Sequence, residues 1–272
     1  LPWWSRPERT PEWYAQVKID MYRQTGTDDS LFQEYPANPE EALAPIQLNK
    51  RIPFDWIAAC RRDAEPVTPD GMPGVPNLKV YRPPQDGHRY VIGADPAEGN
   101  PTSDDSAGCV LDAETWEEVA VFAGKWEPKV FAGYINQVGI YYNDAAVMPE
   151  RNNHGHALIL ELQATGKLLL LKNHSDEKPG WLDNAKGKTL LYDFCADSLR
   201  DGSATLHDPV TIDQLGSIEA ASLAAPDGMH DDRADAFALA LVGCKYRYVA
   251  GEDSIIVEAD DPLDAYDNFK AW

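Results

Sequence analysis

The stretch HRYVIGAD, residues 88–95, decides the fold of this chain. A short apolar run bounded by polar residues is typical of a buried strand. Asp95 ends the run, at the point where side chains leave the core and face a cleft. The stretch therefore predicts a central strand that carries a functional acid at its end.

Two further strands are predicted after this one, AGCVLDA at 107–113 and EEVAVFAGKW at 117–126. The segment DAETWE between them is typical of a turn, with Asp112 at its start. Strands that follow one another through short loops indicate an antiparallel meander.

The chain beyond the meander alternates between helical and strand-like patterns. Helices are predicted at 129–143, 154–165, 189–202 and 231–244, and strands at 145–150 and 167–172. This order predicts an α/β fold, in which a mixed sheet is covered by helices.

Composition divides the chain into three parts. Residues 1–86 are rich in proline and tryptophan, which predicts an arm with short helices, such as one at 11–24. Residues 87–248 hold the sheet, and residues 249–272 form an acidic tail. The sequence starts at Leu1 rather than at a methionine, so we expect a piece of a longer protein.

The net charge of −21 disfavours a nucleic-acid partner when taken alone, because phosphate contacts rest on lysine and arginine. The tail and any metal-binding acids contribute to that charge, which weakens the argument. The four cysteines form no CxxC pair, which disfavours a zinc ribbon or a disulfide framework. Cys109 and Cys244 lie in apolar stretches typical of core thiols, and a reducing cytoplasm fits. No apolar run is long enough to span a bilayer.

Acidic residues stand at three boundaries between predicted elements. Asp95 and Glu150 each end an apolar run, and Asp231 and Asp232 open the helical pattern DDRADAFALALVGC. Carboxylates that lie close together repel one another unless a cation neutralises them. Hard divalent cations prefer such oxygen ligands. The simplest interpretation is a Mg²⁺ or Mn²⁺ site that acts on phosphate esters.

Several of these acids and their neighbours also have a structural explanation. Asp104 and Asp105 could contact metal, but aspartate is common in turns. A helix start favours acids through its dipole, which alone explains one of Asp231 and Asp232. Asp235, one turn further on, is either a supporting acid or a solvent-facing one.

The residues after Glu150 leave two explanations open. Asn152 and Asn153 could simply cap the following helix, although capping does not explain Glu150 itself. His154 and His156 form an HxH pair without a suitably spaced histidine or cysteine, which disfavours zinc.

At these residues the sequence resembles the C-terminal nuclease domain of the large terminase subunit of tailed bacteriophages, which has an RNase H-like fold. Five motifs in the same order carry the resemblance. They are LFQEYPANPEEAL (31–43), VIGADPAEG with DDSAGCVLD, VMPERNNHGHAL, PGWLDNAKGKTLLYDFCADSLRDG and HDDRADAFALAL. The fold class implied is an RNase H-like mixed β-sheet, an antiparallel meander plus parallel strands, flanked by helices.

The resemblance implies a role for each acid. Asp95 would bridge two Mg²⁺ or Mn²⁺ ions, Glu150 and Asp231 would each help to hold one, and Asp232 and Asp104 would support the site or contact water. Two ions roughly 3.5–4 Å apart suit in-line hydrolysis of a DNA phosphodiester. The GxxxxGK[ST] phosphate loop is absent from the sequence, so no ATP site is expected here.

The resemblance also implies the context of the three parts. Residues 1–86 would follow an absent ATPase domain, 87–248 would be the nuclease domain, and 249–272 the tail. The implied partners are concatemeric double-stranded DNA, the terminase ATPase domain, the portal and the small terminase subunit, with no membrane. The host cytoplasm is the expected location.

Basic residues near the acids are the candidate DNA contacts. In the family, the region that matches 172–188 is a β-hairpin near the active site, which implies that it guides DNA. The alternative is that residues 172–188 form an ordinary solvated loop. This region holds Lys172, Lys178, Lys186 and Lys188. Arg151 and Arg233 flank the acids and could contact the scissile phosphate, or serve as structural ion-pair partners. Trp181 is expected to be a packing anchor rather than a residue that stacks on a base.

Two other functions stay open at this point. The same fold could serve a junction resolvase or an RNase H, or the chain could be a catalytically silent docking module whose acidic tail binds a basic partner. The sequence departs from the family at Pro149, which precedes the glutamate. It departs again at Gln214, where the family often has glutamate, so no role is assigned to Gln214.

Overall fold

The computed structural model describes residues 2–25, 31, 34–38, 50–173 and 175–245. The predicted acidic tail at 249–272 and most of the 31–43 motif lie outside the described residues.

A five-stranded sheet forms the centre of the molecule, in the order β1-β4-β3-β2-β5. Strands β2, β3 and β4 form the predicted antiparallel meander, and β5 pairs with β2 in parallel. The mixed sheet predicted from the sequence is confirmed. The strands are β1 (Lys79–Val80), β2 (Tyr90–Asp95), β3 (Ser106–Asp112), β4 (Glu118–Gly124) and β5 (Ala146–Pro149).

Helices cover both faces of the sheet. The helices of the described residues are α1 (Pro11–Thr25), α2 (Phe54–Cys60), α3 (Pro128–Tyr141), α4 (Asn153–Thr165), α5 (Ala185–Arg200), α6 (Pro209–Ser217) and α7 (Asp232–Lys245), with a 3-10 turn at Trp3–Ser5. Those from α2 onward supply the layers on the sheet. Helices α2 and α6 were not predicted, because each is too short to show a clear apolar period. Among the described residues no helix is both long and apolar enough to cross a membrane.

The core has two layers, one on each face of the sheet. Val91 faces a layer formed with α2, α5, α6 and α7, and its neighbour Ile92 faces a layer formed with α3 and α4. Adjacent strand residues point to opposite faces, so β2 needs apolar residues throughout when both faces are covered. The predicted core thiols Cys109 and Cys244 are buried, as is Trp181, the predicted packing anchor.

Helix α7 lies unusually close to β2, and Gly93 makes this possible. A Cβ atom at Gly93 would stand 2.0 Å from the Ala236 carbonyl oxygen and 2.4 Å from the Ala240 nitrogen. Further along, a Cβ at Gly243 would stand 2.5 Å from Val91. The helix therefore runs antiparallel to β2, which brings its first turn to the end of the strand that carries Asp95.

The prediction of a strand at 167–172 is wrong. Leu170 forms only an isolated bridge with Val147, through the bonds Val147 N–H to Leu169 O and Leu171 N–H to Val147 O, both 2.8 Å. The pairing with β5 does not continue beyond this bridge, because Lys172 turns away to pair with residues 179–180.

Part of the predicted arm packs on the domain. Ile52, Ile57 and Cys60 belong to the core layer beneath α7, and β1 pairs with β4 at the edge of the sheet. The sheet therefore extends into the stretch that composition assigned to the arm.

Candidate active site

The acids at the ends of β2 and β5 meet at one edge of the sheet. Glu150 follows β5, and its backbone N–H donates to the Ala94 carbonyl at 2.8 Å, in register with the parallel strands. The side chains of Asp95 and Glu150 consequently share a hydrogen bond. Two carboxyl groups can share such a bond only when one of them keeps its proton, because a carboxylate is an acceptor alone.

The pKa of Asp95 is raised well above its usual range. Burial is the largest cause, followed by the hydrogen bond and the charge of Glu150 and then by the charges of Asp235 and Asp232. Crowded acids raise one another's pKa in this way when no cation is present. The carboxyl groups at this edge of the sheet therefore repel one another, and a bound cation would offset that repulsion.

Asp235, which lies one turn into α7, belongs to this cluster. Its pKa is raised to about 7 by burial and by the charges of Asp231 and Glu150, against the effect of Lys188 and a hydrogen bond from Tyr192. The Lys188 Nζ lies 3.6 Å from the Asp235 Oδ2. The position one turn beyond Asp231 was the sequence signal for Asp235.

Asp183 is a further member that the sequence did not indicate. Trp181 forms a bridge with Glu150, and its N–H donates to the Pro149 carbonyl at 2.8 Å, so the chain runs beside β5 and brings Asp183 to the acids. Burial and the charges of Glu150 and Asp231 raise the pKa of Asp183 to about 6, while Lys188 opposes the shift. No local pattern marks such a position, because a long-range pairing creates it.

Lys188 places a positive charge among these acids. Burial alone would lower the pKa of Lys188, but the charges of Asp235, Asp183 and their neighbours outweigh it and raise the pKa. Its Nζ lies 3.9 Å from the Asp183 Oδ2. Lys188 therefore stays protonated and offsets part of the negative charge. It lies on α5, which begins at Ala185 rather than at 189 because the Asn184 side chain caps it.

The start of α7 meets the loop before β3. Burial, and then the charge of Asp104, raise the pKa of Asp232 to about 6. The His230 Nδ1 lies 3.2 Å from the Asp104 Oδ1 and 3.9 Å from the Asp232 Oδ2. Asp104 is exposed, and Asp105 pairs with Lys125 at 2.9 Å. The structure thus places Asp104 beside His230 and Asp232 at the rim of the acidic cluster.

Comparison with solved structures identifies this arrangement of strands and helices. The large terminase nuclease of thermophilic phage G20c with bound magnesium superposes with a TM-score of 0.56 at 20% identity, over 71% of this chain and 97% of that one. The cobalt-bound form of that nuclease gives the same values. The large terminase nuclease domain of Thermus phage P74-26 gives a TM-score of 0.54 at 22% identity, over 71% and 94% of the two chains.

The chain has the fold of a phage large terminase nuclease domain. The RNase H-like fold class predicted from the sequence is therefore confirmed. No protein-family profile matches the sequence, and no curated protein matches it either.

On this terminase nuclease fold, the basic residues predicted to contact DNA separate into two groups. Lys172, Lys178 and Lys186 are exposed on the segment beside the acids. The remaining three are mostly buried in ion pairs. Arg151 pairs with Asp176, and Arg233 pairs with Asp208. Lys188 lies between Asp183 and Asp235.

Arg151 and Arg233 thus form the structural ion pairs that the sequence offered as one of two explanations, and their contact with a scissile phosphate stays a prediction. The Asn152 side chain makes no capping hydrogen bond to α4, and its amide group donates to the Asp183 carbonyl. That bond supports the segment that brings Asp183 to the acids.

The donors on this terminase nuclease fold suit a hard divalent cation. Among the described residues no three histidine, cysteine, aspartate or glutamate side chains form a ready-made ligand set. Among the same residues, however, the buried Asp183 Oδ1 has no hydrogen-bond partner, and the carboxyl groups of Asp95 and Glu150 lie against each other where a cation would offset their charge. The carboxylate oxygens and the excess charge therefore fit Mg²⁺ or Mn²⁺.

Proposed function

We propose that this chain is the metal-dependent endonuclease domain of a viral genome-packaging terminase, which cuts concatemeric double-stranded DNA. The observation that carries the proposal is the contact between the carboxyl groups of Asp95 and Glu150, at the end of β2 and just after β5, beside Asp231 and Asp235. Acids crowded in this way are costly without a cation. The terminase nuclease fold supports the choice of DNA as substrate.

The proposed ligands are Asp95, which would be shared by two ions, with Glu150 and Asp231 each helping to hold one. Bound Mg²⁺ or Mn²⁺ supplies charge that stabilises the phosphate and makes water a better nucleophile. Asp232 and Asp104 lie at the rim with His230, where they would support this arrangement.

The residues around the ligands would hold the site in register for hydrolysis. Tyr192 donates a hydrogen bond to the Asp235 Oδ1, and Lys188 lies 3.6 Å from the other oxygen of the same carboxylate. A carboxylate held from both sides keeps one orientation, and preorganised charge of this kind is a large part of catalysis. Asp235 would thereby fix the Lys188 ammonium beside the ligands.

We propose that DNA approaches along the exposed lysines of the 172–188 segment. Lys172, Lys178 and Lys186 lie on the same chain segment that bridges to Glu150 through Trp181. Phosphate contacts from lysine supply binding that does not depend on sequence but falls with salt. We expect this chain, whose net charge with its acidic tail is −21, to bind DNA weakly when alone. The terminase ATPase domain would supply the remaining affinity for DNA. The portal and the small terminase subunit would be further partners, in the host cytoplasm.

The decisive experiment measures nicking and linearisation of plasmid DNA with Mn²⁺, Mg²⁺ or EDTA. Asp95→Asn is the test variant, because it removes the charge and keeps the shape of the side chain. Asp63→Asn is the matched control, since Asp63 is exposed and pairs with its near neighbour Arg61 at 2.7 Å. We expect the wild type and the control to cleave with metal, and Asp95→Asn to lose cleavage by several orders of magnitude, because a metal ligand is lost.

Absence of cleavage with either metal at high protein concentration would contradict the proposal. Calorimetry with Mn²⁺ then separates the alternatives, because a catalytically silent docking module has no reason to bind the ion at this edge. Cleavage of four-way junctions or RNA–DNA hybrids, with plain duplex left intact, would instead indicate a resolvase or an RNase H.

A further inference from the structure

Helix α7 begins at Asp232, and its first backbone N–H groups need acceptors from outside the helix. The residue just before the helix usually supplies one, by accepting from the second or third helical N–H with its side chain. Asp231 occupies that position and is among the strongest capping residues. Its sequence context therefore predicts that its carboxylate would be used to cap α7.

The structure shows a different cap for α7. The Gln214 Oε1 accepts from the Arg233 N–H at 2.7 Å and from the Ala234 N–H at 3.3 Å, and these are the N–H groups that Asp231 would have taken. The Asp231 Oδ2 accepts instead from the Ala225 N–H at 2.9 Å. The cap therefore comes from α6, across the interface between the two helices.

Because Gln214 takes the capping role, the carboxylate of Asp231 is left to act on the acidic cluster, which consists of Asp95, Glu150, Asp183 and Asp235. Its charge raises the pKa of Asp235 and Asp183, and it contributes to the raised pKa of Lys188. A carboxylate that capped α7 would be drawn to the Arg233 and Ala234 N–H groups. The observed Asp231 carboxylate accepts from the Ala225 N–H with Oδ2 instead, and the α7 N–H groups are taken by Gln214.

Helix α6 is fixed firmly enough to hold such a cap. Asp208 precedes α6, is fully buried, and accepts from the Thr211 N–H at 3.1 Å. The same carboxylate accepts from the Arg233 Nη1 at 3.0 Å and from the Lys79 Nζ at 2.6 Å. The first turn of α7 is thus tied to α6 through the Arg233 side chain as well as through Gln214.

We propose that Gln214 is a positioning residue, which caps α7 in place of Asp231 and so leaves the Asp231 carboxylate for the acidic cluster. An amide oxygen provides the acceptor without adding another negative charge beside the acids. The effect on metal binding rests on the proposed function, whereas the exchange of caps does not.

The exchange of caps is tested by amide hydrogen exchange of Arg233 and Ala234, without metal, in Gln214→Ala, Asp231→Ala and the double variant. Each single variant keeps one capping side chain, so we expect both amides to stay protected. The double variant has neither, so their protection is lost. Loss of protection in Gln214→Ala alone would overturn the proposal, because Asp231 would then not be a competing cap. Retained protection in the double variant would overturn it as well.

The link to the site is tested by Mn²⁺ titration calorimetry on the same variants. Gln214→Ala should weaken Mn²⁺ binding as much as Asp231→Ala does, and the double variant should bind no worse than either. Gln214→Glu keeps an acceptor oxygen and should restore binding. Additive losses would overturn the positioning role, because general loosening of α7 would then explain them. If the wild type binds no Mn²⁺, the proposed function fails, while the exchange experiment still decides how α7 is capped.

Discussion

The carboxyl groups of Asp95 and Glu150 share a hydrogen bond at the edge of the sheet where β2 and β5 end side by side. The parallel register that places Glu150 beside Ala94 makes this contact a property of the backbone. Burial and neighbouring charge then raise the pKa of Asp95, so the fold itself holds acids in an arrangement that a cation would stabilise.

The first prediction concerns the stability of the metal-free protein. Replacing Asp95 by asparagine should raise the melting temperature in EDTA at pH 8, because the folded state no longer has to hold this charge beside Glu150. Adding Mn²⁺ should then stabilise the wild type, by about 2.7 kcal/mol at one hundred times the dissociation constant. It should leave Asp95→Asn nearly unchanged. Differential scanning fluorimetry measures both effects.

Asp63→Asn controls for the loss of an acid at a distant, exposed position, and its melting temperature should follow the wild type with and without metal. If Asp95→Asn proved less stable than the wild type in EDTA, charge crowding would not be what strains the edge of the sheet.

The second prediction is a pH dependence away from the site. Glu118 is buried on β4, and burial raises its pKa to about 7, against the backbone N–H groups of His207 and Asp208 that donate to it. Between its ordinary pKa of 4.5 and this value, the folded state holds a proton that the unfolded state has released. The contribution of Glu118 to stability is therefore present below pH 4.5 and is lost as the pH rises to about 7.

Glu118→Gln should remove this loss, because the amide oxygen still accepts from both N–H groups and carries no charge. At pH 8 the variant should be more stable than the wild type by up to roughly 3 kcal/mol, and the gain should vanish near pH 4.5. Urea unfolding at several pH values measures the difference, and Glu65→Gln, at an exposed glutamate, is the control. A gain that did not change with pH would show that packing, not titration, was responsible.

The third prediction tests the close approach of α7 to β2. Gly93→Ala would place a Cβ 2.0 Å from the Ala236 carbonyl oxygen, so the helix that carries Asp235 must shift. Overpacking of this kind costs about 1–3 kcal/mol or more. Gly133→Ala on α3 is the matched control, because its Cβ would meet no atom of the described residues within 4 Å. It should stabilise the protein by up to roughly 1 kcal/mol. Equal effects of the two changes, measured by urea unfolding, would contradict the close contact.

The sequence was informative where the structure depends on local pattern. The buried run before Asp95, the hairpin after it and the small-residue helix at 232–245 each carry their own periodicity, and these elements were predicted close to their observed bounds. Glu150 was singled out for the same reason, since it follows an apolar run that forms β5.

The sequence was uninformative where the structure depends on pairing between distant segments. The apolar run at 167–172 was predicted as a strand, but the chain leaves the sheet after a single bridge at Leu170. Asp183 reaches the acids only through the bridge between Trp181 and Glu150, and Gln214 meets α7 only through the packing of α6. Propensity and spacing carry no record of these contacts.

The fourth prediction concerns Lys188, whose Nζ lies 3.6 Å from Asp235 and 3.9 Å from Asp183. Replacing it by methionine keeps most of the apolar stem and removes the charge. The two acids, whose pKa values are already raised to about 7 and about 6, would then ionise without their cation. The metal-free protein should lose about 1–3 kcal/mol at pH 8, because a mostly buried charged pair is broken.

The loss should shrink as the pH falls towards 5, since both acids then hold protons in the folded state and no longer need Lys188. Urea unfolding in EDTA at pH 5 and pH 8 measures this difference, and Lys186→Met, at an exposed position on the same helix, should show little change at either pH. A destabilisation of Lys188→Met that was equal at both values would mean that the side chain acts by packing alone. In that case the protonated ammonium would not be what allows the acids to stay together at the edge of the sheet.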